Sequence, residues 1–190
     1  MKKNLMLLLT LTCLQPLMAQ VLVQDFKLTN VANNESVSMA SFQSCSGYAI
    51  IFTSNACPYD EYYRDRIKTL VNAYQGKIQF ILINSHPDPE ENTNAMKAAY
   101  QTWNITVPYL ADKDQLAMDC FAARKSPECF LVKSEAGKYR ILYSGALDDN
   151  PQVAQQVADS YLKRAIEALL ANQAIAQPSN RAAGCAMRKK

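Results

Sequence analysis

The sequence predicts an α/β domain in which a central mixed β-sheet is flanked by helices. Two near-continuous apolar runs of strand length, GYAIIFTS (47–54) and KIQFILINS (77–85), have the composition of strands covered on both faces. Between them Tyr59, Tyr62, Tyr63, Ile67, Leu70, Val71 and Tyr74 recur at helical spacing, so the three segments make a βαβ unit. Further on, ECFLVKSEAGKYRILYSG reads as two strands around the turn Glu135, Ala136, Gly137, an antiparallel hairpin. A parallel unit and an antiparallel one in a single sheet make that sheet mixed.

The remaining elements follow in chain order. Lys2 and Lys3, the apolar stretch LMLLLTLTCLQPLMA and a small residue before Gln20 read as a signal peptide over 1–19, cleaved after Ala19. Gln15 and Pro16 interrupt the apolar run, which falls short of a membrane span. VLVQDFKLTN (21–30) and ESVSMASF (35–42) alternate weakly, as edge strands or extended segments do. Pro89 to Trp103 is a second helix, 114–123 a short third, and 151–171 a long final helix with Val153, Val157, Tyr161, Leu162, Ile166, Leu169 and Leu170 on one face. The order βαβ, helices, ββα is that of the thioredoxin fold. The chain thus divides into the signal (1–19), a thioredoxin-like domain (20–172) and a flexible, cysteine-containing tail (173–190).

Charge and motifs exclude several function classes. Cleavage takes 20 basic residues to 18 against 17 acidic ones, so nucleic acid is not an implied partner. The sequence has no P-loop, no Gly-rich dinucleotide turn and no cysteine pair at zinc spacing, and so implies no metal, nucleotide or flavin cofactor. Cys13 leaves with the signal, and the other five cysteines reach an export compartment, periplasmic or extracellular, that allows disulfides. Five is odd, so at least one thiol stays unpaired within a monomer.

Cys57, in FTSNACPYDEYYRDRI, stands at the start of a helix, where unpaired N–H groups and the helix dipole favour thiolate, and Pro58 suits a first helical turn. A dithiol motif would repeat cysteine three residues later; Asp60 is there instead, and its i, i+4 spacing to Arg64 reads as a solvated pair lining the site. Ser54 reads as a strand-end hydroxyl. His86, in SHPDPEEN, is the sole imidazole and reads as a solvated loop residue at the strand end where such sheets place their sites. Cys45 precedes the strand whose far end carries Cys57; about twelve residues at ~3.3 Å each put it well beyond the ~7 Å limit of a disulfide. Cys120 and Cys129 read as core positions, although Cys129 lies close enough to Pro127 to be a second candidate resolving thiol. Cys185, in PSNRAAGCAMRKK, is the first candidate: a tail can reach what a fixed residue cannot, and Arg181, Arg188, Lys189 and Lys190 favour its thiolate.

FTSNACPY, the INS strand end, PYLADKDQLA, SPECFLV with its hairpin, YSGALDDN, YLKRAIEALL and the closing GC resemble the peroxiredoxin-like redoxin branch (AhpC/TSA type) of the thioredoxin superfamily from about residue 21 onward. The resemblance implies a thioredoxin fold and a thiol oxidoreductase or peroxide reductase. It makes Cys57 the reactive cysteine and Pro127 the cis-proline, with Ser126 beside it, and it puts Ser54 where peroxiredoxins hydrogen-bond the peroxide. The peroxiredoxin proline seven residues before the cysteine is Ile50 here, and no arginine of the sequence matches the peroxiredoxin one. The implied activity is reduction of a peroxide or disulfide by Cys57, with a thiol-disulfide partner protein as reductant. The alternative is a non-catalytic binding or chaperone-like module whose cysteine is inert.

Overall fold

The computed structural model describes residues 21–190; the expected signal segment lies outside the described residues. Among the described residues there are ten strands: β1 (Leu22–Val23), β2 (Leu28–Asn30), β3 (Ser36–Val37), β4 (Gly47–Phe52), β5 (Ile78–Asn84), β6 (Tyr109–Ala111), β7 (Lys125–Ser126), β8 (Glu128–Glu135), β9 (Lys138–Gly145) and β10 (Cys185–Ala186). Four α-helices accompany them: α1 (Pro58–Ala73), α2 (Thr93–Trp103), α3 (Leu116–Phe121) and α4 (Tyr161–Leu170). Eight strands form one sheet in the order β1-β9-β8-β4-β5-β6-β2-β3, and β10 pairs with β7 in a separate ribbon. β4, β5 and β6 run parallel, and the β8–β9 hairpin joins β4 antiparallel, so the sheet is mixed.

Alternation along β4 divides the core. Ala49 and Ile51 face a cluster completed by Tyr63, Ile67 and Val71 of α1, Met96 and Trp103 of α2, and Leu162 and Ile166 of α4. Tyr48, Ile50 and Phe52 face the opposite cluster, with Ala117, Met118 and Phe121 of α3 and Phe26 from the N-terminal loop. Burial on both faces is why β4 reads as an unbroken apolar run.

Several elements differ from expectation. The second helix starts at Thr93, because residues 89–91 close a 3-10 turn and the Asn92 side chain caps α2 by accepting from the Ala95 N–H at 3.0 Å. β6 is a strand that the sequence pattern does not predict. The final helix begins at Tyr161; before it, Asn150 Oδ1 accepts from the N–H groups of Gln152 and Val153, and Asp149 Oδ1 from that of Ala158. These local bonds give the backbone an alternative to helix, and Val153 is exposed.

Residues 173–190, of tail composition, lie along the body. Ser144 exchanges backbone hydrogen bonds with Pro178 and Asn180, Asn180 Oδ1 accepts from the Ala146 N–H at 2.7 Å, and Ala182 and Met187 are buried. Gly145 permits the crossing: its φ is +140°, and a Cβ there would strike Asn180. No described helix is long and apolar enough to cross a membrane.

Candidate active site

The chain leaves β4 at Phe52 and turns through residues 53–56 into Cys57, which caps α1 in extended conformation with Pro58 at the first helical position. One carboxylate shapes that turn. Glu91 accepts from the N–H groups of Asn55 (2.9 Å) and Ala56 (3.0 Å) and from Asn84 Nδ2 (2.6 Å), and the Ser54 hydroxyl donates to it. Ser54 Oγ in turn accepts from the N–H groups of Ala56 and Cys57 at 3.1 and 3.0 Å. Asn84 also donates to the Tyr109 hydroxyl, which donates to Asn55 Oδ1. Burial would raise the Glu91 pKa, but these donors outweigh it and hold the group below the ordinary carboxylate range. The sequence singles out none of Glu91, Asn84 and Tyr109 as site residues; the signal that could have found Glu91 is its position shortly after the C-terminal end of β5, the sheet edge at which Cys57 also stands. Glu91→Ala is expected to destabilise the protein by about 3 kcal/mol, since it strands several buried donors at once. A fall in the urea midpoint with unchanged slope would show this.

Cys57 is buried and forms a disulfide with Cys185, with Cα atoms 6.0 Å apart across 128 residues of sequence. The Ser126–Pro127 peptide bond is cis, and the Ser126 carbonyl oxygen lies 3.3 Å from Cys57 Sγ. Antiparallel pairing of β10 with β7 sets Cys185 opposite Ser126. The structure therefore brings together Cys57, Cys185, Ser126, Pro127 and, through the Cys57 N–H, Ser54.

Asp60 and His86 differ from their expected solvated states. Asp60 is buried on the face of α1 that also carries Tyr63, Ile67 and Val71, and Arg64 instead stacks over Trp103 at 4.4 Å. Thr53 Oγ1 donates to Asp60 Oδ1 at 2.5 Å, while Oδ2 has no hydrogen-bond partner. Burial raises the Asp60 pKa to about 7, only partly countered by the polar groups of Thr53, Ser54 and Ser126 and the charge of Arg64. His86 is also buried, with Nε2 2.8 Å from Ser126 Oγ. Burial lowers its pKa against the opposing charges of Glu91 and Asp88, and Lys113 and Arg188 add to the lowering.

The other thiols stand apart. Cys129 is fully buried on β8 opposite Ile51, and burial, with the charges of Glu128, Asp60 and Asp148, pushes its thiol well above the ordinary value. Cys120 is exposed rather than core, because α3 turns Ala117, Met118 and Phe121 inward and leaves position 120 on its outer face. Cys45 is a half-buried free thiol before β4, at the end opposite Cys57. The tail's basic residues are matched by acids of the body: Arg188 with Asp88, Lys189 with Asp119, and Lys190 with Asp114 at 3.4 Å. Among the described residues, no group of three or more His, Cys, Asp or Glu side chains is arranged to hold a metal ion.

No protein-family model matches the sequence, and no curated protein does. Solved structures do match. An uncharacterized conserved protein from Geobacillus kaustophilus is 26% identical with a TM-score of 0.81, the match covering 92% of this chain and 93% of that one. A hypothetical protein from Sinorhizobium meliloti 1021 is 23% identical with a TM-score of 0.81, over 93% and 97% of the two chains. A secreted Mycobacterium tuberculosis disulfide oxidoreductase homologous to E. coli DsbE is 17% identical with a TM-score of 0.55, over 75% and 95%. Likeness of this kind establishes the architecture: the chain has a thioredoxin-like fold, with Cys57 at the start of α1 and the cis-proline loop against its sulfur.

Proposed function

We propose that the protein is an exported thiol-disulfide oxidoreductase in which Cys57 attacks the substrate and Cys185 resolves the intermediate. The observation that carries this reading is the Cys57–Cys185 disulfide, which links a helix-start sulfur to a cysteine paired against the cis-proline strand. In the reduced protein, the Cys57 thiolate attacks a substrate disulfide, forming a mixed disulfide and releasing one substrate thiolate. The Cys185 thiolate then attacks the Cys57 sulfur, releasing the second thiolate and leaving the protein oxidised. Two electrons have passed to the substrate, and a partner thiol protein restores the pair by the reverse exchange.

Disulfide exchange is favoured over peroxide reduction by what surrounds the sulfur. The Ser54 hydroxyl proton is directed to Glu91 rather than toward an incoming oxygen. The arginines of α1 are also engaged, Arg64 over Trp103 and Arg66 on Asp148. In this reading residues 20–172 form the body and 173–190 the arm that carries the resolving thiol. Residues 1–19 direct the chain to an oxidising compartment, where such a pair functions. Incubation of the reduced protein with glutathione disulfide, followed by acid quench and alkylation, tests it. The expected products are a Cys57–Cys185 linkage in the parent and a glutathione adduct on Cys57 in Cys185→Ser. Adducts confined to Cys45 and Cys120, with Cys57 untouched, would contradict it.

A further inference from the structure

We infer that the β7 edge is a docking strand for an extended polypeptide of the pattern glycine, cysteine, any residue, apolar residue, basic residue, and that residues 184–188 are its internal competitor. This rests on the oxidoreductase reading above and adds which substrates that site accepts.

Gly184 sets the first requirement. A Cβ at this position would lie 2.7 Å from the Ser126 carbonyl carbon and 3.1 Å from the Pro127 nitrogen, and closer still to the Ser126 oxygen. All three are backbone atoms. They cannot yield easily, because the Ser126 hydroxyl is held by His86 and the Lys125 and Arg124 N–H groups are held by Glu128. The register that brings Cys185 opposite Ser126, and so onto Cys57, therefore excludes any side chain on the residue before the cysteine. Another polypeptide presenting a cysteine to Cys57 along the same strand meets the same obstacle.

The positions after the cysteine add preferences. Ala186 is exposed and demands nothing. Met187 is buried against the cluster that holds Phe121 and Phe130, and its N–H donates to the Arg124 carbonyl at 2.9 Å. Arg188 pairs with Asp88, while its carbonyl accepts from Gln115 Nε2 at 2.7 Å. Asp88, Asp114 and Asp119 pair with Arg188, Lys190 and Lys189 beyond this end of the strand and match a basic segment. While the tail is seated the strand is closed, so a partner must displace it, and reduction of Cys57–Cys185 removes the covalent part of that hold.

The test uses the full-length Cys185→Ser protein and pentapeptides activated as 2-thiopyridyl mixed disulfides. Cys57 displaces thiopyridone and retains the peptide through a new disulfide, which mass mapping distinguishes from adducts on Cys45 and Cys120. Gly-Cys-Ala-Met-Arg is expected to label Cys57 at least about tenfold faster than Ala-Cys-Ala-Met-Arg, the ratio a clash with fixed backbone produces. Gly-Cys-Ala-Glu-Glu is expected to fall between them. Equal rates for the glycine and alanine peptides would overturn the inference while leaving the oxidoreductase reading intact; failure of every peptide at Cys57 would overturn both. In the otherwise unaltered chain, Gly184→Ala is expected to move the Cys57–Cys185 equilibrium against glutathione at least about tenfold toward the dithiol, again from the clash. An unchanged equilibrium would contradict the geometry.

Discussion

Replacing Cys57 with serine is expected to slow disulfide exchange by a thousandfold or more, on the order of the loss that follows removal of a nucleophile. The serine hydroxyl sits in the same capped turn, with the same N–H held by Ser54, yet it is not ionised near neutral pH and is a poor nucleophile toward sulfur. Cys185→Ser separates the two halves of the cycle. The first attack persists, because the helix start and cis-proline loop are untouched, while the second has no thiolate to complete it. Turnover therefore stops after one event, and the mixed disulfide on Cys57 accumulates. Rapid-quench mass spectrometry of both variants checks this. Equal activity in Cys57→Ser and parent would assign the chemistry to exposed Cys120 or half-buried Cys45.

Asp60 supplies the second large effect. Its folded-state pKa of about 7 stands above the ordinary 3.8, so the native state binds a proton more tightly than the unfolded chain. Stability from this group is fully present below pH 4 and is lost as the pH rises toward 7. The whole difference corresponds to about 4 kcal/mol. Asp60→Asn keeps the shape, retains an oxygen for Thr53 and carries no charge at any pH. It is expected to be more stable than the parent at pH 8, by up to that amount, and nearly equal to it at pH 4. His86 works in the opposite sense, since burial lowers its pKa and protonation below about 6.5 favours the unfolded chain. Variant and parent must therefore be compared at each pH, by urea unfolding of the oxidised proteins. A difference that does not grow between pH 5 and pH 8 would mean that Asp60 is charged throughout.

What the sequence revealed depended on how local each signal was. β4, α1 and β5 were legible because burial on two faces leaves continuous apolar runs around a helix of regular spacing. β6 escaped because three residues carry no periodicity. The i, i+4 spacing of Asp60 to Arg64 suggests a solvated pair, although positions 60, 63, 67 and 71 share one buried helix face, a spacing the sequence also carries. Glu91 lay in a Pro/Asp/Glu-rich turn of solvated composition, and only the folded chain shows it accepting from the cysteine loop. The tail was the least legible segment. Its partners Asp88, Asp114, Asp119 and Ser126 come from segments remote in sequence, so its composition alone resembles a frayed end.

Whether Cys57 and Cys185 are one redox pair is decided by peptide mapping of the oxidised full-length protein under non-reducing conditions, with free thiols alkylated before digestion. The expected product is a linked peptide containing Cys57 and Cys185, with Cys45, Cys120 and Cys129 recovered as alkylated thiols. A Cys57–Cys129 linkage, or Cys57 recovered free from fully oxidised protein, would contradict it.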